Sequence, residues 1–216
     1  MVRVKICGIT SWADAKLCVD AGAHALGFNF FPPSPRCVSP AEAWEMIRRL
    51  PPYVDAFGVF VDWKPAAMLA LARAIHLTGV QLHGNEPASD VALLAKHGPV
   101  VKAFAVKEGF QPESLRRYRN ANAILLEGFR RGFHGGAGAR MDWQVARHAG
   151  RFARIVLAGG LTPQNVAEAI RTARPYAVDV ATGLEVKIAK KDPRRVRAFM
   201  RAVEEINHEM DASHRN

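Results

Sequence analysis

Val2-Arg3-Val4-Lys5-Ile6-Cys7, with the Gly8-Ile9-Thr10-Ser11 that follows, carries the first decision about the fold. Alternation at period two sets Arg3, Lys5 and Cys7 on one face of a strand, and Val4 and Ile6 on the other. Ser11 then has the chemistry of a helix N-cap, and a helical period leads to a second β-rich run at residues 25–30. Strand, cap, helix and strand make the βα repeat of a parallel sheet. Working outward, the same switch recurs down the chain. Strands are predicted at residues 2–7, 25–30, 56–61, 80–83, 100–106, 123–127, 154–158 and 177–180. Between or after them, Ser39, Ser89 and Thr162 suit N-caps, Pro40 and Pro163 suit first helical turns, and Asp192-Pro193 opens the last helix. Residues 113–119, after the fifth strand, predict a short, poor helix.

Eight such units within 216 residues predict one α/β domain, a parallel eight-stranded (β/α)8 TIM barrel over residues 1–203. Residues 204–216 are expected to form a partly disordered C-terminal tail. The runner-up, a doubly wound open sheet, calls for a G-x-G-x-x-G turn after the first strand, and none is there. A barrel keeps its chemistry where the strands end, so the polar residues at those ends are the informative ones.

The formal charge of +10 fits either a nucleic acid or a small anionic substrate. Basic pairs such as Arg48-Arg49, Arg116-Arg117 and Lys190-Lys191 are scattered, with no interleaved aromatics and no nucleic-acid motif, which favours a small phosphorylated substrate. Met1 leads straight into the first strand without an apolar leader, and no apolar run approaches the roughly 18 residues of a membrane span. A cytoplasmic protein, monomeric or homodimeric and without membrane or nucleic-acid partners, is expected. Cys7, Cys18 and Cys37 cannot all pair and match no zinc spacing, so free thiols and no metal are expected.

If the aliphatic face of the first strand meets the helices, Cys7 points into the barrel mouth. There, two residues beyond Lys5 on the same face, it is expected to be held partly as thiolate and to serve as a base. Cys18 and Cys37 read as small buried hydrophobes. Gly159-Gly160 after the seventh strand, and Thr182-Gly183 after the eighth, are spaced to offer backbone N–H groups and helix-end dipoles to a phosphate. Those two turns fit any phosphate-binding barrel.

Lys5-Ile6-Cys7-Gly8-Ile9-Thr10 resembles the opening signature of the phosphoribosylanthranilate isomerase family. Phe30-Phe31-Pro32-Pro33-Ser34-Pro35-Arg36, Gly58-Val59-Phe60-Val61, Gln81-Leu82-His83-Gly84, Leu157-Ala158-Gly159-Gly160-Leu161 and Val178-Asp179-Val180 follow in that family's order. The resemblance runs to about Met200. It implies a cofactor-free aldose-ketose isomerase of tryptophan biosynthesis. The reaction would be an acid/base Amadori rearrangement of N-(5-phosphoribosyl)anthranilate to 1-(2-carboxyphenylamino)-1-deoxyribulose 5-phosphate. It implies Cys7 as the general base and a general acid at the end of the sixth strand, the position of Glu127. It also implies that Arg36, His83 and Asp179 line the substrate pocket, with Arg36 holding the anthranilate carboxylate through two parallel hydrogen bonds.

Three departures stand out. Glu127 replaces the family's usual aspartate and adds one methylene, roughly 1.5 Å of reach. Ala181-Thr182-Gly183 stands where two serines often precede the glycine, and Val186-Lys187-Ile188-Ala189-Lys190 where a Pro-Gly turn is common. Gly135-Gly136-Ala137-Gly138 before Met141-Asp142-Trp143 resembles the family's glycine-rich loop, with Asp142 expected as a helix N-cap rather than an acid. Among other phosphate-binding barrels, a histidine-pathway isomerase would want paired aspartates. A pentose-phosphate epimerase would want histidine metal ligands on several strands, whereas here only His83 stands at a strand end.

Overall fold

In the computed structural model, residues 1–129 and 141–213 are described. Eight parallel strands follow one another around a closed barrel: β1 (Arg3–Cys7), β2 (Ala25–Asn29), β3 (Asp55–Phe60), β4 (Gly79–Leu82), β5 (Val100–Val106), β6 (Ala123–Gly128), β7 (Ile155–Leu157) and β8 (Ala177–Val180). The strands are apolar on both faces because both are covered. Val4, Ile6, Leu26, Phe28, Ile124, Leu126, Leu157 and Val178 belong to the large buried cluster that also takes in the helices. A second, smaller cluster, built from Val101, Ala103, Ala123, Leu125, Val156, Ala158 and Ala177 with Phe57 against it, is formed by strand residues and by Ala158 directly after β7. Alternation along each strand separates the two cores, and the second fills the lumen beneath the mouth.

The helices are α1 (Trp12–Asp20), α2 (Pro40–Ile47), α3 (Pro65–Ala74), α4 (Ala88–Leu94), α5 (Trp143–Ala149), α6 (Val166–Ala173) and α7 (Pro193–Ser213). Ser11 caps α1 by accepting from the Asp14 N–H, and Ser39 closes a capping box with Glu42 ahead of Pro40. Asp142 caps α5 by accepting from the Gln144 N–H, and Asp192 accepts from the Arg194 N–H at the head of α7. After β5 the crossover is a 3-10 helix, Pro112–Tyr118, in place of a full α-helix.

Three expectations are corrected. Ser89 lies inside α4, whose N-cap is Pro87: the Pro87 carbonyl already accepts from the Asp90 N–H, so the turn begins before Ser89 is reached. Thr162 and Pro163 belong to a turn ahead of α6, which starts only at Val166. Asn165 holds that turn, accepting from the Thr162 N–H at 2.8 Å and donating to the Gly160 carbonyl at 2.9 Å. Residues 204–213 of the expected tail are instead the second half of α7, which continues to Ser213. Its buried stripe of Val196, Phe199 and Val203 extends to Ile206. Beyond it Asn207 clamps the first strand, accepting from the Val2 N–H at 2.6 Å and donating to the Val2 carbonyl at 3.1 Å. One element has no counterpart in the sequence reading, a small antiparallel hairpin of β9 (Glu185–Lys187) and β10 (Lys190–Lys191) after β8. Among the described residues, no helix is long and apolar enough to cross a membrane.

Removing residues 204–216 should therefore destabilise the barrel rather than trim a loose end. Burial of Ile206 and the two Asn207 hydrogen bonds together predict a loss of at least about 2 kcal/mol. Urea unfolding of the truncated chain checks this, and an unchanged midpoint would contradict it.

Candidate active site

A cavity of about 780 Å³ opens at the C-terminal ends of the strands, and all nine residues singled out from the sequence line it. Period two on β1 turns Lys5 and Cys7 inward, and the β1–β8 register places Lys5 opposite Asp179. Lys5 Nζ donates to Asp179 Oδ2 at 2.7 Å, with both side chains buried. Gly27 on β2 leaves the room this needs: a Cβ there would stand 2.7 Å from Cys7 Sγ and 2.9 Å from Lys5 Nζ. The thiol and the ammonium thus share the space over one bare stretch of backbone.

That neighbourhood corrects one expectation. Burial pushes the Cys7 thiol above its ordinary value; Lys5 pulls it down, but the Asp179 carboxylate that pairs with Lys5 pushes it up again. The thiol form is favoured, not the thiolate. Cys18, fully buried, is pushed up to about 12, chiefly by burial.

Arg36 reaches the cavity from the loop after β2, but its fork is already engaged. Nε donates to Glu185 Oε1 at 2.8 Å and Nη2 donates to Glu185 Oε2 at 2.7 Å. Lys191 Nζ also donates to Glu185, at 3.1 Å, and to the backbone carbonyls of Cys7 and Ala181. Burial works against the charge of Glu185, yet the Arg36 hydrogen bonds and the Lys191 charge outweigh it and hold the carboxyl below the usual carboxylate range. Neither Glu185 nor Lys191 was singled out from the sequence. Both sit on the unforeseen hairpin, and 149 positions separate Glu185 from Arg36.

On the far side, Glu127 at the end of β6 is buried at 7% exposure, with Oε1 within hydrogen-bond distance of His83 Nε2 at 2.7 Å. His83 follows β4 directly. Its Nδ1 lies 3.1 Å from the Gln81 amide nitrogen. The glycine-rich segment 135–138, which adjoins Glu127 in the sequence, lies outside the described residues. At the end of β7, Gly159 and Gly160 take positive φ, 83° and 65°, conformations open to glycine at little cost. A Cβ on Gly183 would collide with the Leu161 carbonyl oxygen, so the loops after β7 and β8 touch there. Thr182 is exposed at the rim. Among the described residues, no group of three or more His, Cys, Asp or Glu side chains could hold a metal ion.

A closed parallel barrel whose mouth gathers a thiol, carboxylates, an imidazole and a guanidinium belongs to the (β/α)8 enzymes. A family model described as N-(5'phosphoribosyl)anthranilate (PRA) isomerase matches residues 4–202. The N-(5'-phosphoribosyl)anthranilate isomerase of Geobacter sulfurreducens is 46% identical over 201 residues, 93% of this chain and 98% of that one. The crystal structure of phosphoribosyl anthranilate isomerase from Thermotoga maritima superposes with a TM-score of 0.88 at 40% identity, covering 95% of this chain and all of that one. A further structure of this enzyme, in complex with reduced 1-(o-carboxyphenylamino)-1-deoxyribulose 5-phosphate, gives a TM-score of 0.84 at 39% identity over 95% of this chain and all of that one. The chain belongs to the phosphoribosylanthranilate isomerase family.

The Glu185 cluster makes a testable statement about stability. Its folded carboxyl titrates below the unfolded one, so its contribution is present above the ordinary carboxylate value of about 4.3 and is lost as pH falls through the lowered value. Glu185→Gln should cost about 3–5 kcal/mol at neutral pH, where it leaves buried cations unpaired, and should lose less than the parent on acidification. Denaturant midpoints measured from pH 7 down to pH 3 test both parts. Parallel curves for the two proteins would contradict the assignment.

Proposed function

We propose that this protein acts as a cytoplasmic enzyme of tryptophan biosynthesis that isomerises N-(5-phosphoribosyl)anthranilate to 1-(2-carboxyphenylamino)-1-deoxyribulose 5-phosphate. The observation that carries this is a thiol and a carboxyl facing one cavity from strands that are not neighbours, β1 and β6, with anion-binding chemistry at both ends. Glu127 protonates the furanose ring oxygen as the C1–O bond breaks, with the anilino nitrogen lone pair forming the C1–N double bond. The Cys7 thiolate takes the proton from C2, and the C–H electrons become the C1–C2 double bond of a neutral enolamine. Transfer of the C2 hydroxyl proton to C1 yields the ketose. Atoms balance within one substrate, and no external electron acceptor enters.

Arg36 is the residue for the aromatic carboxylate, but with Nε and Nη2 given to Glu185 it would meet that anion from its Nη1 side. The phosphate falls to the backbone N–H groups of the turns at Gly159-Gly160 and Thr182-Gly183. Asp179 lines the pocket, and its Oδ1 has no hydrogen-bond partner among the described residues, so it can accept from a sugar hydroxyl. A relative bound to a reduced carboxyphenylamino-deoxyribulose phosphate supports a ligand with a carboxylate at one end and a phosphate at the other.

A fluorescence assay following loss of phosphoribosylanthranilate tests the activity directly. Cys7→Ala should remove nearly all turnover, while Cys18→Ala and Cys37→Ala retain most of it. Glu127→Gln keeps the shape but has no carboxyl proton, so kcat should fall by at least about 10²-fold with KM little changed. Full activity in either Cys7→Ala or Glu127→Gln would overturn the assignment of that residue.

The pH profile supplies a separate check. Only the thiolate is nucleophilic, and burial keeps the thiol protonated through neutrality, so alkylation of Cys7 by iodoacetamide, read as the difference between the parent and Cys7→Ala, should quicken about tenfold per pH unit across the neutral range. An alkylation rate that stayed flat between pH 6 and 8 would contradict a thiol raised above its ordinary value.

A further inference from the structure

The hydrogen-bond chain that ends on Glu127 begins deeper in the barrel, at Gln81. This side chain points into the lumen from β4 and is 1% exposed. Its strand neighbours in register are Val59 on β3 and Val101 on β5, neither of which offers the amide a side-chain partner. The amide nitrogen stands 3.1 Å from His83 Nδ1, while the amide oxygen has no partner among the described residues. An unpaired buried carbonyl is costly, and such a group in a folded protein calls for a reason.

We propose that Gln81 is a positioning residue that selects the tautomer of His83 and, through it, eases the release of the Glu127 proton. The inference rests on Glu127 being the general acid. An amide nitrogen only donates, so Nδ1 must be the acceptor. A neutral imidazole with an accepting Nδ1 carries its proton on Nε2, and that N–H points at Glu127 Oε1, 2.7 Å away. A donor aimed at a carboxyl favours its charged form. The contact therefore strengthens as Glu127 gives its proton to the ring oxygen and negative charge develops, the condition under which a fixed donor lowers a barrier. The opposite tautomer would present the Nε2 lone pair to the acid, accept its hydrogen bond and hold the proton back. Nothing in the imidazole itself makes that choice; the orientation of the Gln81 amide does.

The direct measurement is 15N-edited NMR of the full-length enzyme labelled at histidine, with the His83 signals assigned by their loss in His83→Asn. The expected result is the Nε2–H tautomer, and a predominantly Nδ1–H imidazole would overturn the inference whether or not any variant folds. Kinetics give the second reading. Gln81→Leu removes the donor and should lower kcat by about 10-fold with KM little changed. Gln81→Glu offers an acceptor, draws the proton to Nδ1 and should lower kcat further than leucine does. Parental kcat in both variants, or a rise in KM alone, would reduce Gln81 to a filler of the lumen and sink the proposal. The two failures stay distinct: full activity in Glu127→Gln removes the acid, whereas an Nδ1–H tautomer with an inactive Glu127→Gln removes only the role of Gln81.

Discussion

Closing a barrel brings the first strand against the last, and here that seam carries a buried ion pair. Lys5 and Asp179 meet at 2.7 Å across β1 and β8. Removing either partner would leave a charge in the lumen at a cost of about 3–5 kcal/mol, so the seam tolerates little slippage in register. The same pair acts on Cys7 just above it: burial raises the thiol most, the Lys5 ammonium draws it down, and Asp179 offsets part of that pull. Two further buried pairs repeat the device around the mouth. Lys102 joins Glu86 at 3.0 Å while donating to the Gly84 carbonyl, and Lys191 joins Glu185 while donating to Cys7 and Ala181. Neither pair lines the cavity, but Lys191 braces the backbone of Cys7 and Ala181, which do, through charge-assisted bonds to their carbonyls.

A raised thiol suits proton abstraction from carbon. The thiolate is scarcer, but each one that forms is a stronger base than a thiolate of ordinary acidity. The fraction available is set by burial and by the opposed charges of Lys5, Asp179 and Lys191. Across the cavity, the extra methylene of Glu127 is accommodated with its carboxyl 2.7 Å from the imidazole of His83, just past β4.

The barrel was legible because period-two apolar runs and helical stretches alternate cleanly, and each strand found lies within two residues of its expected ends. The candidate residues around the mouth were legible for the same reason, since strand ends can be counted. What could not be read were contacts between loops remote in sequence. Glu185 has no marker in its own neighbourhood, and only folding brings it to Arg36. Gln81 resembled any polar residue in a strand until its alternation with His83 placed both in the lumen. Ser89 misled because a cap was read from its side chain, whereas Pro87 two residues earlier had already started the turn. The second half of α7 was hidden by its many charges, although Val203 and Ile206 continue the buried stripe.

The clamp of Asn207 on Val2 bears on how the chain is made. Met1 and Asp211 are within 4.0 Å, and the partners of β1 at the seam lie about as far along the chain as they can. During synthesis β1 can pair with β2 early, but its other edge has nothing to bind until β8 and then α7 emerge. A ribosome-bound intermediate is therefore an open, curved sheet with an aggregation-prone border, and only the last stretch of polypeptide seals it. Joining Met1 to the chain near Asp211 and cutting at a loop away from the mouth would move that vulnerable border to another pair of strands.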